Sequence, residues 1–474
     1  MTEIHVRPRS IVLACLVLSA CSVGPDYVKP KVDVPPAFKE AGKWKPAAGA
    51  PAATDATWWK VLGDPVLDDL EAQVDVSNQN LKAAEARYRA ARATVSGTRA
   101  GYFPTLSGAL SKSRARTNSG VAGVDAPVTT TDTLSASVAW EIDVWGRIRR
   151  GVEGAQAKAE ASAADLAAAT LSVQALLAQT YVQLRAADSQ VDLYRRSVAD
   201  YTRFLELTRN RQAAGVASPL DVAQAETQLG AAQTQLIDVQ NQRAQLEHAL
   251  ATLVGKVPSE LSLPAEAKLP AVPQIPELVP STLLESRPDI VAAERRVAAA
   301  NAQIGVAKSA WFPVLDISGT GGYRAGGFSG LISAPNRFWS LGPTLAMTLL
   351  DFGARSATVT EAEAGYDEAV ATYRQAVLTA FQEVEDNLAA ARLLEQEGEA
   401  QARTLAAAQR SRQIAENQYK AGVIGALNAI SAQTAELSAT ANSVSLASRR
   451  LQAAVQLLKN TGGALALEAA AHAD

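Results

Sequence analysis

The side chains that most often carry chemistry are few in this chain of 474 residues, and they are not grouped for catalysis. Glu383, Glu385 and Asp386 form an acidic cluster, but on a long helix such a cluster is typical of a solvated face. No His or Cys spacing fits a metal site, since the histidines are isolated at His5, His248 and His472. The sequence therefore predicts a protein that is not an enzyme and that needs no metal and no cofactor.

One cysteine has a context that predicts covalent modification. Arg7 and Arg9 precede a short apolar run, residues 11–19, which is too short to span a bilayer. The run ends in Leu18-Ser19-Ala20-Cys21, which resembles the lipobox of bacterial lipoproteins, whose cysteine becomes the lipid-bearing first residue. The prediction is a signal peptide over residues 1–20 and a covalent lipid on Cys21. An ordinary signal peptide with an incidental cysteine is the alternative.

Composition excludes one class of partner and favours one class of structure. The formal net charge is −3, from 45 basic and 48 acidic residues, so nothing indicates a nucleic-acid surface. Aromatic residues make up 5% of the chain while alanine is abundant, which fits long, closely packed helices.

The elements that would position any functional residue occur twice. Residues 80–106 recur at 289–315, and further on Trp145-Gly146 recurs as Phe352-Gly353. A period this long indicates a duplicated half rather than a short solenoid repeat. The predicted organisation is a tether over 21–57, a first repeat over 58–255, a Pro-rich linker over 256–281, a second repeat over 282–462, and a tail over 463–474.

Each repeat contains two predicted strands. The first pair is expected at about 104–117 and 131–144, and the second at about 313–326 and 338–351. One face of the cleanest strands is apolar and the other is small and polar, which suits either a soluble sheet or a membrane barrel. Aromatic residues gather at the strand ends, as they do at membrane interfaces, and this favours the barrel.

Helices complete each repeat. A first helix is expected from about Pro65 to Tyr102, and very long helices at about 149–213 and 355–420, each roughly 95 Å long. Both long helices should end in tight turns at Gly215 and Gly422. After the first turn a capping residue, Ser218, begins the returning helix, with Pro219 and Asp221 at its first and third positions.

Four membrane strands cannot stand alone, because unpaired backbone groups at two sheet edges each cost several kcal/mol in lipid. Copies of the chain must therefore join. Two copies would give eight strands and three would give twelve. The residue pattern by itself does not choose between them.

Several motifs resemble the TolC/OprM-type outer-membrane factors, in particular the NodT-type efflux lipoproteins. The match runs over roughly residues 21–462. The motifs are Trp58-Trp59-Lys60-Val61-Leu62-Gly63-Asp64-Pro65, Ser286-Arg287-Pro288-Asp289-Ile290, Trp140-Glu141-Ile142-Asp143-Val144-Trp145-Gly146-Arg147, Leu350-Asp351-Phe352-Gly353-Ala354-Arg355 and Phe381-Gln382-Glu383-Val384-Glu385-Asp386.

The resemblance implies an α+β membrane protein in the outer membrane of a Gram-negative bacterium. It would be a homotrimer with a twelve-stranded barrel continuous with a periplasmic helical barrel. The implied partners are a periplasmic adaptor and an inner-membrane pump of the RND class. The implied work is passive conduction of drugs or other small molecules.

The same resemblance places a gate at the two turns. Asp221 and Tyr419 match positions that link neighbouring helices in the closed state, although Asp221 can also be a plain helix cap and Tyr419 plain packing. Asn428 and Ser431 stand where relatives often carry acidic rings, so we expect only weak block by divalent cations.

Two alternatives remain at this stage. A channel of this kind could export a polypeptide with an ABC-type partner. A lipid-anchored periplasmic coiled-coil adaptor would explain the helices and Cys21, but it would not explain two strand pairs with aromatic ends.

Overall fold

The computed structural model describes residues 23–33, 35, 37–41, 57–116, 127–273 and 287–462. The predicted signal peptide, Cys21, the predicted tail and parts of the predicted tether and linker lie outside these ranges. The chain forms two compact units, each assembled from three stretches. Unit 1 comprises Met1–Lys31, Arg87–Ala163 and Ala292–Tyr373, and unit 2 comprises Val32–Ala86, Ala164–Val291 and Arg374–Asp474.

Unit 1 contains one antiparallel sheet of four strands in the order β1-β2-β3-β4. The strands are β1 Thr105–Arg116, β2 Val128–Ile142, β3 Val314–Ala325 and β4 Arg337–Ala346. The largest departure from the predicted strands is at the end of β4, which stops five residues before the expected limit of 351. The reason is the register: Val314, the first residue of β3, pairs with Ala346, so no β3 residue remains to pair with residues beyond Ala346.

The first helix is interrupted, and the prediction of one continuous helix from Pro65 to Tyr102 is wrong. The structure has α1 at Pro65–Ser77 and α2 at Gln79–Ala100. Between them Asn78 adopts an extended conformation, and its Oδ1 accepts the backbone N–H groups of Asn80 and Leu81. Its Nδ2 donates to the carbonyl of Leu253, at 2.8 Å. Asn78 therefore ends one helix, caps the next and joins both to the end of a third.

The remaining helices repeat the same lengths in both halves. The two long helices have 67 residues each and the two returning helices 35 each. Gly215 and Gly422 adopt positive φ angles of 75° and 78°, as a left-handed helix end requires. The helices are α3 Arg147–Ala213, α4 Pro219–Leu253, α5 Pro288–Ser309, α6 Ala354–Lys420 and α7 Ala426–Asn460.

Among the described residues, an extensive apolar core lies in unit 2 and explains the tryptophan motif. Trp58 and Trp59 meet edge to face with ring centroids 6.0 Å apart, and both are buried. They pack with apolar side chains of five elements: Leu67, Leu70 and Val74 of α1, Leu177, Tyr181 and Leu184 of α3, Leu250 of α4, Leu263 of the linker, and Leu451, Val455 and Leu458 of α7.

The predicted tether is extended but is held against the protein along its described part. In unit 1 the Arg150 guanidinium donates to the carbonyl of Val23 and the carboxylate of Asp26, and Tyr27 donates to Glu294. Burial first, and then this hydrogen bond, raises the pKa of the Tyr27 hydroxyl. The tether thus has defined partners along unit 1.

The acidic cluster on α6 is more than a solvated face, which corrects the sequence interpretation. Glu385 accepts the backbone N–H groups of Lys39 and Glu40, at 2.7 and 2.9 Å. Glu383 accepts Arg287 at 2.8 Å. Two of the three carboxylates therefore hold neighbouring segments of unit 2 in place.

Candidate functional site: the amphipathic sheet and the hairpin turns

The strand register gathers the apolar side chains of the sheet onto one face. Leu106 lies opposite Val138, and Trp140 lies opposite Ile317, so both pairs share a face. The same face continues across β4. Its apolar members are Leu106, Leu110, Leu134, Ala136, Val138, Trp140, Ile142, Leu315, Ile317, Trp339, Leu341, Pro343 and Leu345.

The opposite face is built from small and polar side chains. Ser137 and Thr320, for example, are opposite each other and share a hydrogen bond of 3.1 Å. The apolar face is solvent-exposed in this single chain: Leu106 is 75% and Trp339 76% exposed. An apolar sheet face of this size exposed to water marks contact with lipid or protein.

The two outer strands of the sheet present free edges. In the part of the chain that the structure describes, β1 pairs only with β2 and β4 pairs only with β3. Every residue of β1 is exposed. A bare edge is a template for another strand, and in lipid it cannot remain open.

The aromatic residues at the helix end of the sheet are held by hydrogen bonds. The indole N–H of Trp145 donates to the carbonyl of Pro313 at 2.7 Å, and that of Trp140 to the carbonyl of Tyr102 at 3.0 Å. Trp145 also stacks on Phe312, with ring centroids 4.8 Å apart. Rings with an apolar body and a satisfied polar group suit a membrane interface.

At the first turn, Asp221 acts as part of a helix cap. Its Oδ2 accepts the backbone N–H and the hydroxyl of Ser218, both at 2.8 Å, while the Ser218 Oγ accepts the N–H of Asp221 at 3.2 Å. This reciprocal pair is a capping box with Pro219 at the first helical position.

At the second turn, Tyr419 packs against the end of α3. Its hydroxyl lies 3.2 Å from the Thr208 hydroxyl, and its ring is 5.1 Å from the ring of Phe204. The Arg211 guanidinium lies over the ring at 4.6 Å and donates to the Tyr419 carbonyl at 2.7 Å. Only 4% of Tyr419 is exposed. Within one chain it therefore joins the helix pair α3–α4 to the helix pair α6–α7.

The predicted gate residues are not all brought together. Among the hydrogen bonds of the described residues, none joins Asp221 to Tyr419. Asn428 and Ser431 are both exposed on the first turns of α7. Ser431 donates to the carbonyl of Leu427 at 2.8 Å, while Asn428 lines an open groove of about 590 Å³ with Ile424.

Sequence reasoning missed a charged network beside Tyr419. Arg412 approaches Glu436 at 3.3 Å and Asp200 at 3.7 Å, next to a cavity of about 240 Å³. The hydrogen bond from Lys420 to Glu416, 2.6 Å long, lowers the pKa of the Glu416 carboxyl. Arg412, Glu436 and Asp200 lie on three different helices, so the only sequence signal for this network was the charged repeat along α6. In the described residues no cluster of His, Cys, Asp or Glu could hold a metal ion.

Comparisons with known proteins agree on one family. The model of the outer membrane efflux protein family matches residues 72–256 and 279–463, one segment in each repeat. The chain is 30% identical over 461 residues to the probable efflux pump outer membrane protein TtgC of Pseudomonas putida, with 96% of this chain and 95% of TtgC covered. It is 32% identical over 463 residues to the pyoverdine export outer membrane protein OpmQ of Pseudomonas aeruginosa, with 96% of each covered.

Solved structures of outer-membrane channels also resemble this chain. The outer-membrane channel OprN superposes with a TM-score of 0.87 at 31% identity, covering 94% of this chain and 99% of OprN. The open state of the MtrE outer membrane channel of Neisseria gonorrhoeae gives 0.82 at 28% identity, covering 94% of this chain and 99% of MtrE. With its duplicated helices and amphipathic four-stranded sheet, this chain belongs to the outer membrane efflux protein family.

Proposed function

We propose that three copies of this chain close a twelve-stranded barrel in the outer membrane and form the exit duct of a tripartite efflux system. The observation that carries the proposal is a sheet with one continuous apolar face and two edges that lack partners among the described strands. Family membership excludes the periplasmic-adaptor alternative.

Three copies are favoured over two by the inner face of the sheet. An eight-stranded barrel is just wide enough for its interior to be filled by side chains. The face opposite the apolar one carries mainly Ser, Thr, Gly and Ala, which would not fill such an interior. Twelve strands with a small, polar lining leave a water-filled passage.

The cargo is proposed to be small molecules, delivered by an inner-membrane RND-type pump through a periplasmic adaptor. TtgC is named for an efflux pump and OpmQ for pyoverdine export, and both align with nearly the whole chain. Export of a polypeptide is the second candidate, but no feature of the described residues favours it.

Two further elements belong to the proposal. Cys21 would carry the lipid that anchors the tether. The two turns would be the gate, with Asp221, Tyr419, Asn428 and Ser431 as its residues. The exposure of Asn428 and Ser431 supports a neutral ring and hence weak block by divalent cations.

Planar-bilayer recording of the purified full-length protein, with native mass measurement of the same sample, tests the proposal. We expect a trimer that conducts ions and is not blocked by micromolar divalent cations. A monomer, or a trimer without conductance even after Tyr419 is replaced by Ala to loosen the turn, would contradict the channel. Strong micromolar block would contradict only the neutral ring.

A further inference from the structure

Basic side chains gather at one end of the lipid-facing side of the sheet. The register that places Leu106 and Leu110 on the apolar face also places Lys112 and Arg114, farther along β1, on that face. On β4, Arg337 shares the face and precedes Trp339 and Leu341. This end carries the β1–β2 and β3–β4 connections, whereas the other end continues into the helices.

Acids of the same face balance only part of the charge of this end. In the described strands the one acid on that face is Asp132, which is fully buried, and its nearest cation is Lys112 at 3.9 Å. Arg114 and Arg337 are both exposed. Charges this close to an apolar belt are favourable only if an opposite charge lies at the same depth.

The basic residues lie on the two edge strands. If β4 of one copy pairs with β1 of the next as β2 pairs with β3, then Leu341 lies opposite Arg114 of the neighbouring copy. Arg337 is four residues from Leu341, so the two arginines lie about 14 Å apart across the junction. Their direct repulsion is weak at this distance, and an anionic group that lies between them is attracted by both.

We propose that this basic cluster, defined by Lys112, Arg114 and Arg337, binds phosphate groups of the glycolipid in the outer leaflet and joins adjacent copies through them. The apolar face below contacts acyl chains, while the guanidinium groups match phosphate oxygens in pairs. Tyr323 and Trp339 lie at the boundary, where aromatic rings meet lipid headgroups. The site rests on the proposed barrel, because its two halves come from different copies.

The test uses the purified full-length protein in phosphatidylcholine vesicles with and without diphosphorylated lipid A. We measure the lipid A retained per protein and the temperature at which the oligomer dissociates. The double variant R114Q/R337Q should retain about tenfold less lipid A and lose the lipid-dependent rise in dissociation temperature. The charge-conserving pair R114K/R337K should recover most of both.

Arg324→Gln is the matched control, because Arg324 lies at the same end of the sheet on the opposite face, over the ring of Phe338. It should retain lipid A as the wild type does. Equal retention by R114Q/R337Q and the wild type would overturn the site. If inorganic phosphate alone raised the dissociation temperature of the oligomer by the same amount, the assignment to a lipid would be overturned.

Conductance measured on the same vesicles separates the two proposals. If the wild-type oligomer conducts but neither retains lipid A nor gains a higher dissociation temperature from it, only the headgroup site is overturned. A wild-type chain that stays monomeric with and without lipid A overturns the barrel, and the bridging with it.

Discussion

A carboxyl group without a hydrogen-bond partner lies in the core of unit 2. Glu71 of α1 is fully buried, and neither of its oxygens has a partner. Burial, with smaller contributions from Asp75 and Asp68, raises the pKa of Glu71 to about 9. Asp75, one of these two acids, accepts a hydrogen bond from Gln174 of α3 at 3.0 Å. Glu71 is therefore protonated in the folded chain at neutral pH.

The consequence is a stability that falls as pH rises. Between the ordinary pKa near 4.5 and the folded value of about 9, the folded chain holds a proton that the unfolded chain has released. Unfolding releases that proton and becomes easier by up to about 1.4 kcal/mol per pH unit. Glu71→Gln should match the wild type at pH 4 to 5 and exceed it increasingly towards pH 9.

Thermal unfolding followed by circular dichroism across that range measures the difference. Asp69→Asn is the control, because Asp69 is exposed on the same helix and its carboxylate accepts a hydrogen bond from Gln73. An unchanged pH slope in Glu71→Gln would show that the carboxyl group is ionised in the fold.

At the scale of elements, one buried carboxylate holds the linker to the helices. Asp188 of α3 is 1% exposed and accepts Arg243 at 2.6 Å, Arg185 at 3.2 Å and the backbone N–H of Glu266 at 3.1 Å. Arg185 also donates to the carbonyl of Pro264 at 2.9 Å. The Pro-rich linker is thus fixed through side chains rather than through its own secondary structure.

Asp188→Ala should destabilise the fold by about 3–5 kcal/mol, because it leaves two guanidinium groups without their buried anion. Asp192→Ala, four residues along the same helix, removes an exposed ion pair with Arg196 and should cost about 0–1 kcal/mol. Denaturant unfolding of both variants compares them. Equal losses would mean that the linker is not held by this carboxylate.

The two turns differ at the residue that caps the returning helix, and a substitution can supply the missing cap. Ser218 caps α4, whereas the matching position before α7 is Gly425, which is extended and offers no side-chain acceptor. A Cβ there would meet no atom within 4 Å. Gly425→Ser should therefore stabilise the start of α7 by a few tenths of a kcal/mol.

Hydrogen exchange of the amides of residues 426–429 measures this local gain. Gly425→Ala adds the same Cβ without an acceptor and should lower protection instead. Equal protection in the two variants would mean that the hydroxyl group does not cap the helix.

The sequence predicted the turns and strands correctly where the residues that determine them lie close together in the chain. Gly215, Ser218 and Pro219 predicted the first turn, and period-two alternation predicted the strands. At Asn78 the cap on α2 is local, and the prediction of one continuous helix overlooked it, whereas the bond from its amide to Leu253, 175 residues away, has no local signal. In the same way, nothing near Tyr419 in sequence indicates its packing against Phe204. Contacts between distant segments, unlike caps, leave no local pattern.

At the scale of the whole molecule, the duplication predicts a contact that a single chain does not contain. Residues of β3 correspond to β1 at a distance of 209, and residues of β4 correspond to β2 at a distance of 207. Within the chain, Val138 of β2 lies opposite Gly319 of β3. The same pairing between copies places Leu345 of one chain opposite Leu110 of the next.

Cysteines at Leu345 and Leu110 should therefore cross-link adjacent copies. Directly opposite residues of an antiparallel pair have Cβ atoms about 4.5–5.5 Å apart, within reach of a short bismaleimide. The variant L345C/L110C in membranes should give dimers and closed trimers on denaturing gels. The control L345C/A109C moves one thiol to the opposite face, because a shift of one residue reverses the side of a strand. Cross-linking of the control but not of the test pair would contradict both this register and the repeat symmetry from which it comes.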